Sequence, residues 1–160
     1  MRRAVVLLLL ATAAACAHRG GAPSDDLTHR LGGMIWPLPI ASGGVITSPY
    51  GPRAQRHHDG LDIDGRTGDP IHAAREGVVR HSGWMSGYGN TVIVDHGGGI
   101  STLYGHAAVL HVREGQRIAR GQVIASVGAT GNARGDHLHF EVAWRGFPID
   151  PTPLLPRLGR

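Results

Sequence analysis

Gly135-Asp136-His137-Leu138-His139-Phe140-Glu141-Val142 sets two histidines one residue apart in an apolar, β-prone run. On a strand, successive side chains point to opposite faces, so His137 and His139 share one face and Leu138 and Phe140 the other. The apolar face can enter a core while the other presents two imidazoles to one small volume. Imidazole is a common zinc ligand and a common general base near neutral pH. Such a strand is half of a site and needs partners from elsewhere in the chain.

Two other segments supply them. In His57-His58-Asp59-Gly60-Leu61-Asp62-Ile63, His58 and Asp62 stand four residues apart. Gly60, Gly65 and the apolar alternation argue for an extended segment, in which residues four apart share a face while Leu61 and Ile63 enter the core. Leu103-Tyr104-Gly105-His106 reads as a strand that ends in a histidine after a glycine. His58, Asp62 and His139 then form a metal-ligand set of two nitrogens and one oxygen. That set suits one zinc ion and leaves a fourth position for water, as catalytic sites require. Zinc lowers the pKa of such a water to about 7. His106 and His137 remain as unligated imidazoles, one to take the water's proton and one to orient or stabilise charge on a tetrahedral intermediate. The helical His-Glu-x-x-His of other zinc proteases is absent.

The remaining polar and aromatic residues take lesser roles. Tyr50, Arg53 and Tyr104 are groove-lining candidates. Glu141 shares the face of His139 and is either a partner that orients the imidazole or a plain surface carboxylate. His57 alternates to the opposite face from His58, and Asp59 is a turn residue. His72, His81, His96 and His111 read as solvated positions at strand ends or turns. Trp36, Trp84 and Trp144 read as packing residues.

Short β-prone runs alternate with glycine turns along the rest of the chain, and no amphipathic helix stands out. Strands are expected at 44–47, 61–63, 70–73, 77–83, 90–95, 100–106, 123–127 and 138–144. With 25 glycines and 10 prolines in 160 residues, and regular apolar alternation, the chain is an all-β domain of short strands and tight turns. Arg75-Glu76-Gly77-Val78-Val79 and the run from Arg113-Glu114-Gly115 to Val123-Ile124 resemble each other weakly, which suggests two similar hairpin units in a sandwich or barrel.

The N-terminus has the pattern of an export signal. Met1-Arg2-Arg3 is a short basic region, and residues 4–15 are apolar and too short to span a bilayer as a helix, which takes about 20 residues. Ala13-Ala14-Ala15-Cys16 resembles a lipobox, with Cys16 as the lipidated first residue of the mature chain. The expected organisation is a lipoprotein-type signal at 1–15, a flexible tether at 16–33, a domain at 34–156 and a tail at 157–160. Cys16 is the only cysteine, so there is no internal disulfide. The formal charge of +4 falls to about +2 without Arg2 and Arg3. No basic run interleaved with aromatics suggests a nucleic-acid partner.

The order Trp36-Pro37, Ile46 to Arg53, His58-Asp59-Gly60-Leu61-Asp62-Ile63, Tyr88-Gly89-Asn90 to Gly97, Leu103-Tyr104-Gly105-His106, Gly121-Gln122-Val123-Ile124 and His137-Leu138-His139-Phe140-Glu141-Val142 resembles the lysostaphin/LytM-type zinc endopeptidases, from about residue 35 to 149. The resemblance implies a duplicated-hybrid-motif β fold with a zinc groove, and cleavage of peptide cross-links or stem peptides in bacterial peptidoglycan. It places the metal ligands at His58, Asp62 and His139 and the catalytic histidines at His106 and His137. The chain is further expected to be a monomer, lipid-anchored through Cys16 in the outer membrane and facing the periplasm, with cell-wall regulatory proteins as further partners. Where Ser-Thr-Gly-Pro is usual before the His-x-His, this chain has Ala133-Arg134-Gly135-Asp136. Some relatives have lost zinc ligands and act as activators of cell-wall amidases, which is the alternative role; all five expected positions are filled here.

Overall fold

A computed structural model describes residues 33–38, 45–54 and 56–157. The signal-like segment 1–15, Cys16, the tether before Gly33 and the tail after Arg157 lie outside the described residues.

The chain folds into thirteen strands: β1 (Ile46–Ser48), β2 (Gly51–Pro52), β3 (His57–His58), β4 (Leu61–Asp64), β5 (Pro70–His72), β6 (Gly77–Met85), β7 (Gly89–Gly97), β8 (Ile100–Ala107), β9 (Val109–Leu110), β10 (Arg117–Ile118), β11 (Val123–Ser126), β12 (His137–Trp144) and β13 (Phe147–Ile149). A 3-10 turn follows at Thr152–Leu154. The main sheet runs β1-β4-β12-β8-β7-β6-β10, with β13 also paired to β12, and β5-β11-β9 form a second sheet. Every named pairing is antiparallel. This is the all-β architecture expected from the sequence. The expected long strands are all present, with ends shifted by one to two residues. The very short β2, β3, β9, β10 and β13 were not legible as strands.

Strand β12 is central. One edge pairs with β8 from His139 to Trp144. Its other edge is divided, with β4 against His137–Phe140 and β13 against Val142–Trp144. Leu138 and Phe140 are fully buried, as are Leu61 and Ile63 on β4 and Ile71 and Ile124 from the second sheet, so one core joins both sheets. The apolar alternation predicts this, because a period of two sends every second side chain to the same face. The two similar Gly-Val runs do not form equivalent units. Gly77 opens β6, whereas Gly115 lies in a turn at φ 79°.

Three expectations fail here. Trp84 is 64% exposed rather than packed, at the end of the long β6 beyond the core; Trp36 and Trp144 do pack against it. Tyr104 does not reach a groove: it is fully buried, and its hydroxyl accepts the Ala74 N–H at 2.8 Å. His96 is not solvated but joins Tyr104 in a polar chain. Its Nδ1 lies 2.7 Å from the Glu76 carbonyl, which can only accept, so Nδ1 donates and Nε2 is an acceptor. The Thr102 hydroxyl lies 2.8 Å from Nε2 and 3.0 Å from the Tyr104 hydroxyl, and so links the two.

Protonating His96 would place a positive charge at the end of that buried chain. Burial holds its pKa below the ordinary histidine value, and Arg75 adds to this against the opposing Glu76 carbonyl. The unfolded chain therefore takes up this proton first, at about pH 6.5 and below. The stabilisation is complete above that pH and is lost as pH falls through the native pKa. His96→Asn is expected to be less stable at pH 7.5, and to lose less melting temperature than the parent between pH 7.5 and 5 in thermal denaturation.

Candidate functional site

A groove of about 470 Å³ is lined by Arg53, Arg56, His57, His58, Asp59, Asp62, Gly87, Tyr88, His106, Asn132, Arg134, His137, His139 and Glu141. Its floor is set by strand register. His139 on β12 stands directly opposite Asp62 on β4 and Gly105 on β8.

His58 reaches the same point by a route the sequence did not suggest. His58 and Asp62 do not share one continuous strand, because β3 ends at His58 and β4 begins at Leu61. The turn between them presses on β12. A Cβ on Gly60 would fall 2.3 Å from the Phe140 carbonyl oxygen, so only glycine lets the turn close. The turn swings His58 inward until its Nε2 lies 3.1 Å from Asp62 Oδ1 and 3.2 Å from His139 Nδ1.

The donor atoms of His58, Asp62 and His139 all lie within 4.8 Å of one another. Their hydrogen bonds fix which nitrogens carry protons. His58 Nδ1 donates to the Pro49 carbonyl at 2.8 Å, leaving Nε2 bare. His139 Nε2 donates to Glu141 Oε1 at 2.9 Å, leaving Nδ1 bare and 2.8 Å from Asp62 Oδ1. Two imidazole lone pairs and a carboxylate oxygen thus face each other at contact distance. This crowding of acceptors is repulsive unless positive charge lies among them, and two nitrogens with one oxygen suit a single zinc ion. The local field agrees. Burial works against charge on His139, but hydrogen bonds and charges from Asp62 and Glu141 prevail and push its pKa up to about 9, so without a metal a proton on Nδ1 supplies the positive charge that a cation would otherwise bring. Burial would raise the Asp62 pKa, yet His139, His58 and Arg53 hold the carboxyl well below the usual carboxylate range. Arg53 donates to Asp62 Oδ2 at 2.8 Å and so steadies the carboxylate from behind.

His106 and His137 flank this group, with ring centroids 4.7 Å apart. His106 owes its position to a β-bulge. Val92 pairs with Tyr104 and Asn90 with Ala107, so β8 carries one residue more than β7 over that span. His106 takes φ 63°, a left-handed backbone that is uncommon for a side-chain-bearing residue. Such bulges re-aim side chains next to active sites. His106 Nδ1 donates to the Thr130 carbonyl at 2.7 Å and His137 Nδ1 to the Gly135 carbonyl at 2.8 Å. Both Nε2 atoms are left bare. Burial lowers the His106 pKa, against the Thr130 hydrogen bond, and so favours its neutral form.

Other expectations need correction. Glu141 is not a surface carboxylate: it is buried at 8% exposure, and Oε1 also accepts the Tyr88 hydroxyl at 2.8 Å. Tyr88 is the residue that sequence reasoning missed. Burial, then its bond to Glu141, keeps the hydroxyl protonated far beyond neutral pH. The only signal for it was Tyr88-Gly89 in the quoted run. Tyr50 is not among the groove-lining residues; its hydroxyl donates to the Pro148 carbonyl at 3.2 Å and its ring packs edge-on to His57. His57 does line the groove, paired with Asp59 at 3.0 Å, because the β2–β3 hairpin curls over the site. His72, His81 and His111 stay outside the groove lining.

A buried carboxylate holding the far nitrogen of a ligand histidine, in a β groove with two further imidazoles, defines a metallopeptidase-like site. Residues 56–151 match the family described as Peptidase family M23, and the chain belongs to that family. It is 38% identical over 115 residues to the DD-carboxypeptidase/endopeptidase Mpg of Neisseria meningitidis serogroup B, covering 68% of this chain and 26% of that protein. It is 39% identical to the lipoprotein NlpD/LppB homolog of Pseudomonas aeruginosa (79% and 41% covered) and 33% identical to the murein hydrolase activator NlpD of Salmonella typhimurium (85% and 35%). The chain thus spans between about a quarter and two fifths of the length of these relatives. Among solved structures it is similar to a zinc-containing peptidase from Vibrio cholerae, at TM-score 0.69 and 32% identity, covering 78% of this chain and 40% of that one. It is also similar to the catalytic domain of lysostaphin from Staphylococcus simulans, at TM-score 0.67 and 28% identity, covering 70% and 92%.

Outer carboxylates that hold a ligand histidine typically carry a 10–100-fold share of metal affinity. Glu141→Ala is expected to weaken zinc binding by about that factor, measured by competition with a chromophoric chelator, while leaving the far-ultraviolet circular dichroism unchanged.

Proposed function

We propose that the chain is a zinc-dependent endopeptidase that hydrolyses peptide cross-links or stem peptides of bacterial peptidoglycan. The observation that carries this is the convergence of three bare donor atoms, from His58, Asp62 and His139, beside two further imidazoles whose Nε2 atoms are also bare. The similarity to Mpg and to the zinc-containing Vibrio peptidase supports it.

His58, Asp62 and His139 would hold the ion, which when bound supplies Lewis acidity to polarise a carbonyl and acidify a water. The chain's own residues do the rest. Arg53 and Glu141 keep the ligand side chains in their tautomers and orientations. His137 acts as the base: its Nδ1–H is fixed on Gly135, so Nε2 can take a proton from the attacking water and return it to the leaving amine. His106, neutral and fixed on Thr130 through Nδ1–H, accepts a hydrogen bond from the water at Nε2 and so orients it for attack. His58→Ala or His139→Ala is expected to lose both bound zinc and hydrolysis. His106→Ala is expected to keep zinc and lose at least a hundredfold in rate, read by metal analysis and by mass spectrometry of digested muropeptides. A zinc-loaded protein that leaves defined muropeptides intact would overturn the proposal.

The similarity to the murein hydrolase activator NlpD favours a second role, a groove that holds peptide without cutting it and activates cell-wall amidases. A His137→Ala strain that behaves like wild type while a deletion strain does not would select that role.

The export signal, the tether and the lipid at Cys16 belong to the same proposal, supported by the lipobox-like sequence and the lipoprotein relative. Cys16→Ser is expected to move the protein from the membrane fraction to the soluble periplasmic fraction.

A further inference from the structure

Three acidic side chains line the groove, and each already has a cationic or hydrogen-bonding partner. Asp59 meets His57, Asp62 meets Arg53 and two histidines, and Glu141 meets His139 and Tyr88. Of the three arginines in the same lining, only Arg53 is paired among the described residues. Among the described residues, neither Arg56 nor Arg134 has a carboxylate within 4.0 Å, and both are exposed. The groove therefore presents two free guanidiniums beside a site whose own negative charge is compensated from within.

Both arginines stand on anchored turns. Arg56 closes the β2–β3 hairpin, where its carbonyl accepts the Arg53 N–H at 2.7 Å. Arg134 follows a loop sewn to the β6–β7 turn: Asn132 N–H donates to Gly87 at 3.0 Å, and Asn90 N–H to Thr130 Oγ1 at 3.0 Å. Gly131 lies so close to that turn that a Cβ there would fall 2.4 Å from Gly89 N. The same loop holds His106 through the Thr130 carbonyl, so the backbone that carries Arg134 leaves an anchored loop beside that imidazole. Guanidinium matches carboxylate in planarity and donor spacing, and a guanidinium on an anchored base loses less freedom on binding.

We propose that Arg56 and Arg134 make the groove selective for peptides that carry a free carboxylate beside the scissile bond, against neutral peptides. This rests on the peptide-binding reading of the groove. It assigns the two residues to substrate choice rather than to chemistry.

The test uses two synthetic peptides that share a scissile bond and differ only in a carboxylate or a carboxamide on the adjacent residue. Binding is measured by calorimetry on the zinc-loaded His106→Ala chain, and kcat/KM on the zinc-loaded parent. The carboxylate peptide is expected to bind about tenfold more tightly. That ratio should shrink at 0.5 M salt, since exposed pairs are screened. It should collapse toward one when Arg56→Gln and Arg134→Gln are added, with the change carried by KM rather than kcat. Equal binding of the two peptides, or a preference that survives both substitutions, would overturn the inference while leaving the endopeptidase proposal untouched. A charge-dependent preference in binding without cleavage of either peptide would uphold the inference and overturn the endopeptidase proposal in favour of the peptide-holding role.

Discussion

The pairing of His139 with Asp62 across β12 and β4 is the constraint from which the site follows. In a sheet the side-chain period is two, so a slip of one residue would send every side chain of a strand to the opposite face. Leu138 and Phe140 hold β12 against such a slip, since a shift would expose both and bury charge in their place. The core therefore does more than stabilise the fold: it indexes the site. Gly105 stands opposite His139 on the other edge, where even a Cβ would come within 3.6 Å of the His139 Cβ. The imidazole is thus framed by a carboxylate on one side and bare backbone on the other.

A second layer converts position into chemistry. Besides His57, four imidazoles line the groove, and each has one nitrogen committed to a carbonyl or carboxylate: His58 to Pro49, His106 to Thr130, His137 to Gly135 and His139 to Glu141. The partner differs in each case, and the consequence is the same. The other nitrogen of each ring is left for the groove. The distinction between ligand and base then lies in geometry. The two imidazoles in contact with Asp62 Oδ1, at 2.8 and 3.1 Å, form the donor group, and the one at 3.8 Å stands aside.

Much of this was legible in the sequence because it depends on alternation. Leu61, Ile63, Leu138 and Phe140 announce their strands, and the His-x-His and His-x-x-x-Asp spacings announce convergence. What escaped detection depends on contacts between distant segments. Glu141 reads as an ordinary outward carboxylate until Tyr88, 53 residues away, is seen to cover it. Tyr104 reads as a groove residue because nothing local reveals the Ala74 amide and Thr102 hydroxyl that hold it inside. Very short strands such as β3 and β13 carry too few residues for a period to show. The His58–Asp62 spacing pointed to convergence for an incomplete reason, since a tight turn at Gly60, rather than one extended face, brings the two together.

The left-handed backbone at His106 has a further consequence. The bulge that aims this imidazole stores conformational strain, of order 1–3 kcal/mol for a residue other than glycine in a sparsely populated region. Selection for heat resistance alone would favour glycine or asparagine at this position, because either relaxes the backbone without disturbing the sheet. Retaining a histidine there works against the thermodynamic drift of the sequence. At position 106 backbone relaxation and the role proposed for the imidazole therefore pull this domain in opposite directions.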